Sequence, residues 1–434
     1  MQTLQLVSIL MGGEGSEGSL FPDPARSCQV TVVCYFETDD DIVSKFKAAG
    51  AQVRLLRLQR SGGALKLVTF IGGVFRTLRP DVIHIQYLAP GLVAILAARI
   101  SLCRRILATV HQPWTAESHG VKAKLFLRIG ALLCSRFICV SRAVEVSWFG
   151  RSTFHSDELA KDGQPFGCGS NHCTIPNSID IVQVDKIADQ AARLSLRERL
   201  GLKDCVVVGA VSRLSKEKGI DVLLDAFAAV RGNSQQEANI DSEAFLRGSG
   251  ERDGVLNPHQ QLVLLIIGDG HDRSSLEKRA RQLGLVSEFL NTADLSTIQT
   301  RSHSTHDVVW LGSRPWEEAI LLMTVLDICV VPSFFEGFGL TAAEAMACHK
   351  VVIASNTGGL PDVVGTEGIS GFLFPVGNPL VLAQKMSRLL LSKEVRHAVG
   401  VEARSRVERL FSQSGFERRI QALYSEEFDS VPSP

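Results

Sequence analysis

Through the first 180 residues, short apolar runs rich in β-branched residues alternate with longer stretches of helical period. The runs are Leu4–Leu10, Val30–Tyr35, Val53–Leu58, Val82–Gln86, Ile106–Val110 and Phe137–Val140. Strands spaced by helices of about 10 to 15 residues are the βαβ signature. Apolar runs without alternation belong to parallel strands covered on both faces. The pattern stops at CGSNHCTIPNSID, residues 168–180. It resumes with CVVVGAVSRL, LVLLIIGDG, VVWLG, ICVVPS, VVIAS and FLFPV. The sequence therefore predicts an α/β protein of two Rossmann-like parallel-sheet domains, facing across a cleft at the carboxyl edges of their sheets. Their expected bounds are 1–180 and 181–400, followed by C-terminal helices and a tail over 401–434 that can pack back on the first domain. Polar stretches near 231–260 and 291–307 read as surface insertions with no part in the core.

Composition narrows the class. The 434 residues are 45% hydrophobic and 21% charged, which excludes bulk disorder and a disulfide-stapled miniprotein. Ten scattered cysteines include no Cys-x-x-Cys pair, so they read as reduced, buried small hydrophobes of a cytoplasmic protein. The opening MQTLQLVSILMGG lacks a basic n-region and does not look like a signal peptide. The longest uncharged apolar stretch, Leu88–Ala98, is shorter than the ~20 residues of a spanning helix and contains Pro90 and Gly91. Net charge is zero, but residues 1–180 hold 19 Lys and Arg against 14 Asp and Glu. That +5, balanced by −5 in the rest, points the first half toward an anionic partner such as a lipid surface or phosphorylated substrate.

The most specific segment is PSFFEGFGLTAAEAMA, residues 332–347. A strand delivers the chain to a loop with Gly337, Phe338 and Gly339, and a helix is predicted from Leu340. Glu336 lies in the loop and Glu344 one turn inside the helix. Two carboxylates at different depths suit recognition of hydroxyls, since each accepts charge-assisted hydrogen bonds; a solvated pair favoured by the helix dipole is the other reading. In GAVSRLSKEKGIDVLLDAFA, Arg213 and Lys218 occupy a strand-to-helix loop, where a fork and a point charge can hold a diphosphate or stand as solvated charges.

Gly268 and Gly270 in IIGDG, with Gly358 and Gly359 in GGLPD, mark further turns at strand ends. Gly12 and Gly13 offer a close-approach loop after the first run, but Pro22 and Pro24 break the segment beyond it, which disfavours a nicotinamide fingerprint. His111 follows a strand and can orient a hydroxyl or bond locally; His84 suits cleft lining and core equally. No metal motif, G-x-S-x-G or Walker loop is present, and no metal or nucleic-acid partner is expected.

Taken together, Arg213, Lys218, Glu336, Glu344 and GGLPD resemble the family-4 retaining glycosyltransferases of group 1, which have the GT-B architecture. The resemblance is strong over 200–376 outside the insertions and looser over 1–180. It implies a donor site for a nucleotide-diphosphate sugar in the cleft, formed by Gly12 and Gly13 of the first domain and Arg213, Lys218, Gly268, Glu336, Gly337, Phe338, Gly339, Leu340 and Glu344 of the second. Catalytic roles fall by the same resemblance on His111, Arg213, Lys218 and Glu336, with Glu336 contacting the donor sugar, Glu344 the ribose hydroxyls and His111 the sugar near the reaction centre. PNSID, residues 176–180, resembles the family's interdomain stretch, with Ser178 where glycine is usual.

The family's glycine and proline after the second glutamate are replaced by His349 and Val351. If that glycine position needs positive φ, His349 carries strain of ~1 kcal/mol. The resemblance further implies transfer from a UDP-sugar, with a GDP-sugar open, to a glycan or lipid-linked acceptor bound on the first-domain side. Retention would proceed by same-face substitution without a cofactor or metal, the two cations neutralising the departing diphosphate. Residues 64–79 and 121–137 mix Lys and Arg with large apolar residues, so they suit either peripheral contact with a membrane's inner face or packing on the sheet. A nucleotide-sugar epimerase of related fold and a non-catalytic binding protein are the competing readings.

Overall fold

The computed structural model of the chain describes residues 6–7, 10, 29–36, 39–59, 63–86, 92–114, 116–152, 171–193, 195–236, 261–290 and 306–429. The chain divides into two compact units, Met1–Ser178 with Leu410–Pro434, and Ile179–Arg409.

The first unit holds strands β1 (Thr31–Cys34), β2 (Gln52–Leu55), β3 (Val82–Gln86), β4 (Arg105–Val110), β5 (Arg136–Cys139) and β6 (His172–Thr174). Its helices are α1 (Asp40–Ala48), α2 (Ala64–Leu78), α3 (Val93–Ile100), α4 (Ala116–Leu132) and α5 (Arg142–Phe149). β1 pairs with β2, and β3-β4-β5-β6 form a second parallel sheet in sequence order. Helical crossovers let each strand re-enter parallel to the last. Ser141 starts α5 by accepting from Val144 N at 3.1 Å.

The second unit has β7 (Cys205–Val211), β8 (Gln261–Ile267), β9 (Ser287–Phe289), β10 (Val308–Trp310), β11 (Ile328–Val331), β12 (Val351–Ser355) and β13 (Phe372–Phe374). They form one parallel sheet in the order β13-β12-β11-β7-β8-β10-β9. Apart from the short edge strand β9, this is the doubly wound 3-2-1-4-5-6 order, whose switch point lies between β7 and β11. Its helices are α6 (Ile181–Arg193), α7 (Leu196–Arg199), α8 (Ile220–Gln236), α9 (Arg273–Gln282), α10 (Trp316–Met323), α11 (Leu340–Ala347), α12 (Leu360–Val364), α13 (Pro379–Leu391) and α14 (Lys393–Phe411). Val208, Leu264, Val330 and Ile353 from four strands pack with Phe227 of α8 and Met386 of α13 in a continuous core. At the opposite sheet edge from the switch-point loops, Asp327 accepts from Val207 N at 2.8 Å and from Arg197 at 2.7 Å. This pins the start of β11 against β7 and aligns the loops at their far ends.

The final helix, α15 (Gln413–Asp429), belongs to the first unit. Phe416, Ile420, Leu423 and Tyr424 share a core cluster with Leu6, Leu107 and Ile138.

Three readings are corrected. Leu4–Leu10 was expected as a strand, but its described residues Leu6, Val7 and Leu10 are helical; a short continuous apolar run does not distinguish a strand from a buried helical turn. The edges of the two polar insertions do take part in the fold. Residues 231–236 extend α8, and Arg231 pairs with Asp307, whose carboxylate also accepts from Val286 N at 2.8 Å. Asp307 is only 4% exposed. The remainder, 237–260 and 291–305, lies outside the described residues. Finally, β6 and β9 were unforeseen, being three residues each with polar positions that mask any apolar run.

His349 has φ +58°, so this position of the chain lies in the left-handed region that favours glycine. It closes α11 with a Schellman pattern: His349 N donates to Met346 O at 3.0 Å and Lys350 N to Ala345 O at 3.0 Å.

Candidate active site

The loops after β7 and β11 follow neighbouring strands at the switch point, so residues far apart in sequence arrive side by side. Lys218, at the end of a 3-10 turn (Lys216–Lys218), places Nζ 2.8 Å from Glu336 Oε2. The same oxygen accepts from Ser333 Oγ at 3.2 Å. Both members of the pair are largely withdrawn from solvent, with side chains 22% and 20% exposed.

Arg213 projects from the same loop as Lys218 but pairs elsewhere, donating to Glu217 Oε1 at 2.7 Å with its side chain 69% exposed. Ser215 Oγ donates to that oxygen at 2.6 Å. The Ser215 hydroxyl and then Arg213 hold the Glu217 carboxyl down at about 2. Thus Lys218 meets Glu336 directly, whereas Arg213 is held by Glu217, a residue the sequence reading did not single out.

Glycines lock these loops together. Gly219 has φ +64°, and a Cβ there would come within 2.1 Å of Pro332 O. Gly358, at φ +52°, would collide with Glu336 O at 1.8 Å. Backbone bonds follow the same seams: Phe334 N donates to Glu217 O at 2.8 Å, and Gly359 N to Glu336 O at 3.1 Å. Gly268 and Gly270 sit equally close to the backbone of Ser212 and Leu214. These glycines bring loop against loop, which fixes where Lys218 and Glu336 point.

Glu344 lies deeper, one turn inside α11. Its Oε1 accepts from Trp316 Nε1 at 2.8 Å, a partner from α10 that sequence spacing could not reveal. Burial raises this carboxyl to about 7, partly opposed by the indole bond. α11 begins after Gly339, at φ +105°, with no side-chain cap. Its first-turn amides, from Leu340 onward, therefore form the positive end of the helix beside Glu336. Phe338 is buried, so only its backbone can face a ligand. Gly337 shares its loop. Gly12 and Gly13 lie outside the described residues.

In the first unit, His111 follows β4 and lines a small cavity with His84, Gln86, Thr109 and Asn177 above an apolar floor that includes Ile138 and Phe416. Its Nε2 is 3.1 Å from Gln86 Oε1. Burial lowers the ring to about 4, and His84 to about 3, with His111 adding to the latter. Both rings are neutral near pH 7. His84 is thus half-buried and lines the cavity. A separate buried cluster, Glu145 with His172 at 2.6 Å and Thr174 at 2.7 Å, ties β6 to α5.

Among the described residues, no group of three or more His, Cys, Asp or Glu is arranged to hold a metal ion. No described helix is long and apolar enough to cross a membrane.

Residues 205–392 match the family model for Glycosyl transferases group 1, and residues 24–150 that for Glycosyltransferase Family 4. A D-inositol 3-phosphate glycosyltransferase of Corynebacterium jeikeium is 30% identical over 58% of this chain and 51% of its own length. The chain thus spans about half of that relative. The protein of the same name from Corynebacterium efficiens is 28% identical over 83% of this chain and 76% of its own. The capsular polysaccharide biosynthesis glycosyltransferase CapM of Staphylococcus aureus is 22% identical over 81% and 78%. The crystal structure of Anabaena Alr3699/HepE in complex with UDP-glucose matches the fold with a TM-score of 0.66 at 19% identity, covering 99% of this chain and 97% of that one. With one family model on each half, together reaching from residue 24 to residue 392, this chain belongs to the family-4 glycosyltransferases.

Proposed function

We propose that the protein transfers a sugar from a nucleotide-diphosphate sugar to a hydroxyl of a glycan or lipid-linked acceptor, with UDP preferred to GDP as the donor carrier. The observation that carries this reading is the Lys218–Glu336 pair at the switch point, 2.8 Å apart beside the uncapped start of α11. Glu336 accepts from sugar hydroxyls, Glu344 from the ribose, and the α11 amides with Arg213 and Lys218 take the diphosphate. As the sugar bond breaks, negative charge grows on the leaving phosphate, and fixed cations stabilise that state more than the ground state. His111, neutral, takes a hydroxyl of the sugar. Acceptor attack on the face the diphosphate leaves gives retention. Since Arg213 and Lys218 supply the neutralising charge, transfer is expected to persist in a chelator. UDP preference draws on the UDP-glucose bound in the Anabaena protein, and the acceptor class on the relatives' names.

The test is release of nucleotide diphosphate from UDP- and GDP-sugars, with and without glycan or lipid-linked acceptors. Acceptor-dependent UDP release, falling about 100-fold in Lys218→Ala, supports the reading. Acceptor-independent isomerisation of the donor would overturn it.

Peripheral contact with an anionic membrane belongs to the same proposal. Leu65 and Phe70 on α2, and Leu125, Phe126 and Leu132 on α4, are exposed beside Lys66 and Arg128. Apolar side chains flanked by cations suit the headgroup boundary. Co-sedimentation with phosphatidylglycerol vesicles but not with phosphatidylcholine vesicles is the expected result.

A further inference from the structure

Tyr424 of α15 lies 340 positions after His84, yet its hydroxyl oxygen is 2.8 Å from His84 Nδ1. The opposite nitrogen, Nε2, is 2.7 Å from Thr109 Oγ1 and 3.0 Å from Gln86 Nε2. An amide nitrogen only donates, so His84 Nε2 is the acceptor of that ring and its proton sits on Nδ1, given to the phenol oxygen. Thr109, 6% exposed, donates its hydroxyl to the same Nε2. The other end of the Gln86 amide is an oxygen, which only accepts, and it faces His111 Nε2 at 3.1 Å. That nitrogen must carry the proton, which makes Nδ1 the acceptor nitrogen of His111. Each group in the chain fixes the polarity of the next, and turning the amide would reverse both histidines together.

We infer that Tyr424, acting through His84 and Gln86, is a positioning residue that fixes His111 as its Nε2–H tautomer. Both rings are neutral because burial lowers their pKa values, so a tautomer is what remains to be chosen. All four residues belong to the first unit, and α15 supplies the phenol oxygen that accepts from His84. The kinetic consequence rests on the proposed transfer reaction: an acceptor Nδ1 takes a sugar hydroxyl proton, whereas the other tautomer would present N–H to it.

The tautomer is read without any assay of transfer. The full chain labelled with 15N-histidine gives imidazole nitrogen–proton correlations at pH 7.5, with the two rings assigned by loss of signal in His84→Gln and His111→Gln. The expected pattern is Nδ1–H for His84 and Nε2–H for His111. In Tyr424→Phe both patterns move toward averaged tautomers, and acceptor-dependent kcat falls on the order of tenfold with donor KM within about twofold. A His111 with its proton on Nδ1 in the unsubstituted chain overturns the inference, and needs no variant to fold. Unchanged rings in Tyr424→Phe, or averaged rings with unchanged kcat, overturn it as well. The expected tautomers with no transfer to any acceptor would support this inference and count against the transfer reaction instead.

Discussion

Lys218 and Glu336 are 118 positions apart and share a 2.8 Å ion pair because β7 and β11 are adjacent in the sheet. If the pair acts as a unit on one donor, the two residues are coupled rather than independent. A double-mutant cycle with Lys218→Ala and Glu336→Gln should show an interaction energy of about 1–3 kcal/mol in donor kcat/KM. Additive losses would separate the two residues functionally.

Glu344 provides a pH-dependent prediction. Its carboxyl is raised from an ordinary 4.5 to about 7, chiefly by burial. The folded state therefore holds this proton more tightly than the unfolded chain. The stability it contributes is complete below about pH 4.5 and is lost as the pH rises through about 7. Glu344→Gln keeps an acceptor for Trp316 and cannot ionise. It should raise the melting temperature at pH 8, by roughly 2–3 kcal/mol of stability, and leave it unchanged near pH 4.5. A shift of the same size at both ends would sink the assignment.

His349 sits at φ +58° where the Schellman closure of α11 needs the left-handed region. Replacing it by glycine removes ~1 kcal/mol of steric strain, less a smaller entropic penalty in the unfolded chain. Calorimetry of His349→Gly should show a melting point about 2 °C higher. A lower one would mean the imidazole makes a compensating interaction.

Glu145 is fully buried and accepts from His172, Thr174 and Ser152. Removing the acceptor takes away the carboxylate that all three groups share in a largely buried site. Glu145→Ala should cost about 3–5 kcal/mol. Hydrogen exchange would show the loss concentrated in β6 and α5, with the second unit unaffected. Uniform loss across both units would contradict a local role.

Much of this was legible from the chain because parallel strands announce themselves as apolar runs. β3 and β12 occupy the residues read for them, and the loops after β7 and β11 carry the cations and carboxylates that meet. Leu4–Leu10 misled because burial, not strand geometry, makes a run apolar. What escaped were partners chosen by folding alone. No periodicity links Trp316 to Glu344, Tyr424 to His84, or Arg231 to Asp307, because each pair forms between elements whose sequence separation leaves no pattern. Glu217 escaped for a different reason. It lies between the two cations in sequence, where a carboxylate reads as ordinary loop charge.

The assignment of the last 25 residues to the first unit means that the polypeptide passes between the halves twice, at 178–179 and at 409–410. A gene fragment encoding only the amino-terminal half would leave Leu107 and Ile138 without the aromatic cover that Phe416 and Tyr424 provide. A premature stop near the end of the message would damage the unit whose translation began first. A protease nicking one passage would leave the pieces joined through the other.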